Sequence, residues 1–229
     1  MKTPEAPKMT VVPEGGPKKS PDKPNSTTGE KPENNSNTAK TPKKPTSREF
    51  LEENDPYIVD AALKKKKSSP DFENLTDDEI VALHAYTGKY YRKINPRLRG
   101  DKSIDANWDT VADDANSALE KLGRVEGRTH QGTTFRGIEQ MSDADVNKLF
   151  NVGEDFSDPA FMSSSPVETN AFKGDVKLTI DSKTSVKVDD LSAIPQETEV
   201  LFKPNSKFNV IDKLQDENGV WQITMREKP

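Results

Sequence analysis

The sequence predicts an α+β domain in which N-terminal helices precede a mostly antiparallel β-sandwich core. Three observations predict it. Apolar residues recur at helical spacing through the stretch before Gly132. After Gly132 the pattern changes to short runs that alternate apolar and polar residues and are rich in Val, Ile, Phe and Thr. Helical and strand patterns are segregated along the chain instead of alternating, which argues against a parallel doubly wound sheet.

The helices start only after a long preamble. Residues 1–45 hold nine of the 17 prolines and no Phe, Tyr or Trp. Such a segment cannot bury enough apolar surface to offset the entropy lost on ordering it. Residues 1–46 are therefore read as a disordered Pro/Lys-rich leader or linker, and 47–229 as one domain long enough to own a core.

Within that domain, Ser47 to about Leu63 reads as helix, with a restart at Asp55-Pro56 because Pro fits the first helical turn. Thr76 to Glu79 has capping-box spacing. Ile80, Leu83, Thr87, Tyr90, Tyr91 and Ile94 then form one apolar face, and Asn95-Pro96 is expected to end the helix. A third helix runs from about Asp105 to Leu122, with Trp108, Val111, Ala115 and Leu119 inward and Gly123 as its stop. Strands are expected at Thr133–Arg136, Val176–Ile180, Glu199–Phe202, Phe208–Ile211 and Val220–Thr224, with a short helix at Ser142–Phe150.

Charge and composition exclude several classes. Up to Pro70 the chain carries a net +4, and the remainder a net −9. An acidic domain is a poor match for the nucleic-acid backbone, so no nucleic-acid partner is expected. No apolar run reaches the length of a membrane span, and the N-terminus shows no apolar core of a secretory signal. The chain has no Cys and two His far apart, which leaves neither a thiolate metal site nor a Ser-His-Asp arrangement, and no metal is expected.

Three short motifs follow in order. They are Phe135-Arg136-Gly137 at a strand end, Phe161-Met162-Ser163-Ser164-Ser165, and Glu197-Thr198-Glu199 opening a strand. If Glu197 and Glu199 share a strand, their side chains lie on one face, where paired carboxylates raise each other's pKa. Each motif alone is also what a strand-end cation, a polar loop or a solvated edge would show.

Together, in this order, the motifs resemble the Arg, Ser-Thr-Ser and Glu-x-Glu signatures of the R-S-E class of mono-ADP-ribosyltransferases, a class that includes bacterial actin-modifying toxins. The flanks are similar too: Tyr86-Thr87-Gly88 with Ile94 to Leu98, Ala171 to Gly174, and Glu199 to Phe202. The resemblance covers about residues 72–226. It implies the ADP-ribosyltransferase fold for 47–229 and a reaction in which NAD is co-substrate and ADP-ribose passes to a protein side chain, arginine first.

The resemblance also implies roles. Arg136 anchors the NAD pyrophosphate, as a guanidinium fork can. Gly137 lets the backbone approach the nicotinamide amide, and Phe172 stacks near its ring. Glu199 is the catalytic carboxylate, stabilising an oxocarbenium-like transition state through the ribose 2′-OH. Ser163 orients Glu199, and Ser165 supports the sheet. Ser164 replaces the usual Thr but keeps the hydroxyl. Glu197 faces the acceptor, and Leu191–Gln196 is the acceptor-recognition loop. Gly137 stands where several members have a second Arg, and Ala160 near where some have an Asn. The expected setting is a toxin or effector, secreted or translocated into a target cell's cytosol, with a delivery partner allowed and actin the first acceptor to consider. NAD glycohydrolysis, another acceptor residue and bacterial host proteins are the alternatives.

Overall fold

The computed structural model describes residues 43–171 and 173–228. The expected leader lies almost wholly outside the described residues, as does Phe172.

The helical layer comes first, as the sequence pattern predicts. It comprises α1 (Ser47–Asn54), α2 (Pro56–Lys66), α3 (Asp77–Ala85), α4 (Tyr91–Leu98) and α5 (Asn107–Leu122). Thr46 caps α1 and Thr76 caps α3, each with the Glu three residues on returning the bond, so both capping boxes are complete. Pro56 opens α2.

The long helix expected after Thr76 is interrupted. A π-turn spans Tyr86–Tyr90, and Gly88 inside it has φ −95° and ψ −116°, outside helical geometry. The face expected to be continuous is thereby rotated, and α4 restarts at Tyr91. Asn95-Pro96 does not end this helix, which continues to Leu98. Pro96 forgoes one bond, toward the carbonyl of the exposed Arg92.

The second half supplies β1 (Thr129–Ile138), α6 (Asp143–Leu149), β2 (Asp155–Ser157), β3 (Met162–Ser164), β4 (Val176–Lys187), β5 (Val200–Phe202), β6 (Lys207–Gln215) and β7 (Trp221–Lys228). The strands run in the order β2-β6-β7-β4-β5-β3, with β1 also on β4. All pairings are antiparallel except β4 with β7. The short β2 and β3 carry too few residues for an alternation to show in sequence.

Two cores result. One packs the helices against Phe161, Val186, Val188, Leu191 and Leu201. The other fills the β-half with Met162, Leu178, Ile180, Phe202, Phe208, Ile223 and Met225. Neighbouring residues at the start of β3 and on β5, Phe161/Met162 and Leu201/Phe202, pack into opposite cores, as extended backbone requires. The seam between the cores carries the three motifs.

One local expectation is corrected. Glu197 and Glu199 do not share a strand. Glu197 closes a single 3-10 turn, Pro195–Glu197, and Thr198 is left-handed at φ 47°. Glu199 stands just before β5. The reversal at Thr198 replaces the same-face geometry that two-residue spacing would give.

Candidate active site

Strand register explains why motifs far apart in sequence meet. Phe135 on β1 bridges Ser165, exchanging both backbone bonds at 2.7 and 2.9 Å. Ser163 and Ser164 on β3 pair with Leu201 and Val200 on β5. One step further along that register lies Glu199, whose carbonyl accepts from Val188 N–H at the end of β4. Arg136, the Ser motif and Glu199 are thus fixed on adjacent strands.

A cleft opens there, lined by Phe135, Arg136, Gly137, Ser163, Ser164, Ser165, Asn170, Ala171, Glu197 and Glu199. Five of the six residues predicted from sequence as site residues are therefore brought together. The sixth, Phe172, directly follows the lining residue Ala171.

Glu199 is 5% exposed, and its Oε2 has no hydrogen-bond partner among the described residues. Burial lifts its carboxyl to about 7; the Ser163 hydroxyl pulls down, Glu197 pushes up, and Arg136 pulls down. An unpartnered buried carboxylate oxygen is costly unless a ligand group completes it. Glu197 is half-buried, and burial raises its pKa as well.

Arg136 donates from Nη1 to the Ser163 carbonyl at 2.6 Å. Burial lowers its pKa, which still leaves a guanidinium charged at neutral pH. Behind it, Tyr86 packs on Phe161 at 4.8 Å between ring centroids. Asn95 Nδ2 donates to the Phe161 carbonyl at 3.3 Å and to the Tyr86 hydroxyl at 3.2 Å. The helical layer therefore grips the chain two residues before Ser163, and Tyr86 has a packing role as its helical position suggests.

Sequence reasoning missed the residues that shape the turn between the two glutamates. Thr198 Oγ1 lies 2.8 Å from Ser165 Oγ and receives Asn170 Nδ2 at 3.1 Å. Asn170 also donates to the Gln196 carbonyl at 2.9 Å. The β-branched residue between two carboxylates was the available signal for Thr198; an isolated Asn in a polar segment gives none. Ser165 does more than support the sheet, because it holds this turn.

The sequence matches the family of NAD:arginine ADP-ribosyltransferases over residues 26–229. The chain belongs to that family. It is 39% identical over 156 residues to the NAD(+)–protein-arginine ADP-ribosyltransferase Tre1 of Pseudomonas putida, a match covering 68% of this chain and 30% of that protein. The Tre1 of Serratia proteamaculans is 33% identical over 156 residues, covering 68% and 33%. The chain thus matches about a third of the length of these curated relatives. Among solved structures, the type III effector XopAI from Xanthomonas axonopodis pv. citri shares the fold, with a TM-score of 0.68 at 23% identity over 79% of each chain. Membership bears out the arginine-type class read from the three motifs, and the ADP-ribosyltransferase fold with it.

Proposed function

We propose that this protein cleaves NAD at the nicotinamide–ribose bond and transfers ADP-ribose to an arginine of a protein acceptor. The observation that carries the reading is Glu199: a buried carboxylate with a free oxygen, beside a covered guanidinium, in a cleft that also holds a second carboxylate.

Arg136 anchors the NAD phosphates, and the Gly137 backbone approaches the nicotinamide amide. Phe172, the residue after Ala171 in sequence, takes the ring-stacking role that the motif resemblance implies. Glu199 Oε2 accepts the ribose 2′-OH and stabilises the positive charge that develops as nicotinamide leaves. The Ser163 hydroxyl orients that carboxylate and favours its ionised form. Glu197, nearer solvent, receives the acceptor guanidinium and removes its proton as the new C–N bond forms.

The relatives named as protein-arginine transferases support arginine as acceptor. A secreted or translocated effector is the setting we favour, supported by the likeness to XopAI, named a type III effector. Among the described residues no helix is long and apolar enough to cross a membrane. Actin, suggested by the motif flanks, is the first acceptor protein to assay, and bacterial proteins are the second. The deciding experiment supplies labelled NAD to eukaryotic and bacterial lysates and maps the modified residue by mass spectrometry. Label on arginine that disappears with Glu199→Gln supports the reading; nicotinamide release with no labelled protein makes the protein a glycohydrolase instead.

A further inference from the structure

The loop that leads to Glu197 is held from the helical layer and from Arg128 just before β1, and the contacts stop abruptly. Arg128 pairs Nη1 and Nη2 with the Asp190 carboxylate, both at 2.7 Å, and Lys65 Nζ donates to the Asp190 carbonyl at 2.8 Å. His84 Nδ1 meets the Leu191 carbonyl at 2.7 Å. Burial lowers the pKa of that imidazole, and because a carbonyl oxygen only accepts, Nδ1–H is the donor. The last contact is Thr87, whose Oγ1 accepts from Ala193 N–H at 3.1 Å. Beyond it Ile194 is exposed.

Thr87 has one available geometry. Its side chain is 4% exposed and sits in the π-turn, where its hydroxyl proton goes to the His84 carbonyl at 2.9 Å. With the proton committed, the oxygen can only accept, and Ala193 N–H is the donor that reaches it. A side chain at the adjacent Gly88 would come within 3.4 Å of Ala193 Cβ, so loop and π-turn already lie against each other. On the far side the next fixed points are the Gln196 carbonyl and Thr198 Oγ1. The segment from Ile194 to Glu197 is strung between these clamps. Burial raises the pKa of the Glu197 carboxyl, and no hydrogen bond among the described residues holds its side chain, so its position follows its backbone.

We infer that Thr87 is a positioning residue for the transfer step, fixing through Ala193 the loop that presents Glu197 to the acceptor. The inference rests on Glu197 being the acceptor-side carboxylate. A π-turn inside a helix commonly marks a functional site, and here it aims a side chain at a loop instead of at a ligand.

The test uses the full chain and agmatine as an arginine-like acceptor. Two rates are measured: ADP-ribosyl-agmatine formation, and nicotinamide release without acceptor. Thr87→Val keeps the shape and deletes the hydroxyl. It is expected to lower transfer kcat/KM by about three- to tenfold, the scale of the one hydrogen bond that reaches the loop, while hydrolysis stays within about twofold. Thr87→Ser should restore transfer. Ala193→Pro removes the donor from an exposed position and should give the same selective loss. Unchanged transfer in both Thr87→Val and Ala193→Pro, or equal loss of transfer and hydrolysis in either, overturns the inference. Glu197→Gln, run in parallel, separates the two ideas. If it loses transfer alone while Thr87→Val does not, only the inference fails. If it retains transfer, the acceptor-side reading fails and takes the inference with it.

Discussion

Thr198 Oγ1 and Ser165 Oγ are 2.8 Å apart, and this contact holds a β-branched residue in the left-handed region at φ 47°. That conformation costs on the order of 1–3 kcal/mol and persists only where neighbours impose it. Ser165 and Asn170 impose it here, and the reversal sends Glu199 into the protein while Glu197 stays nearer the surface. Removing the clamp should relax the turn and misplace both carboxylates. Ser165→Ala and Asn170→Ala are each expected to cut arginine transfer about tenfold, and the pair by less than the product, because they share one partner. Transfer kinetics of the single and double variants check this; full additivity would show that the two residues do not act on one turn.

Glu197 and Glu199 should be separable by their products. Glu197→Gln keeps size and hydrogen bonding but loses the negative charge that attracts a guanidinium and takes its proton. Arginine transfer should fall by about a hundredfold or more, within the usual range for a general base. NAD hydrolysis should persist, because Glu199, Ser163 and Arg136 are untouched. Nicotinamide release and labelled-protein yield, measured on the same samples, decide it. Parallel loss of both would show that Glu197 also serves bond cleavage.

The buried Glu199 should leave a signature in stability as well as rate. Its carboxyl titrates near 7 in the fold against an ordinary 4.5. The native state therefore binds the proton more tightly than the unfolded chain. The protonated carboxyl favours folding below about 4.5, and that advantage is lost as pH rises through about 7. At pH 8 the ionised group costs the empty protein on the order of 3 kcal/mol. Glu199→Gln should thus raise the melting temperature at pH 8 and have little effect at pH 4.5, while abolishing the transfer seen at pH 8. Wild-type activity should drop as pH falls below about 7. Thermal unfolding across pH, for both proteins without NAD, is the check; a stabilisation independent of pH would count against an ionised Glu199.

Much of this was legible in the sequence because it rests on short-range chemistry. The capping box at Thr76 and the Pro56 restart need only neighbours three or four residues away. Arg136, Ser163 and Glu199 were found as a set because the three motifs keep their order, although no local rule brings β1, β3 and β5 side by side. What escaped has the opposite character. The π-turn at Tyr86–Tyr90 preserves a helical composition while shifting its phase. The Glu197–Glu199 reversal depends on Ser165 and Asn170, about 30 residues upstream. Thr87 falls on the predicted apolar face, which its burial fits, but its hydroxyl serves a loop 106 residues away.

Gly174 ties the stretch after the Ser motif to the strand that carries Arg136. A Cβ there would lie 2.2 Å from the Ile138 carbonyl oxygen and 2.9 Å from Glu139 N. Both obstacles are backbone, so no rotamer change relieves the clash. The chain must part either at the end of β1, next to Arg136 and Gly137, or in the segment following Asn170 and Ala171. Gly174→Ala is expected to destabilise the fold by about 1–3 kcal/mol, as overpacking does, and to raise the KM for NAD severalfold. The same substitution should disturb acceptor kinetics less, because the loop at Leu191–Gln196 is anchored independently on Thr87 and His84. Steady-state kinetics in NAD and in agmatine, together with thermal unfolding, test this. An unchanged KM for NAD in a destabilised variant would place the displacement away from β1 and show that the close approach serves packing alone.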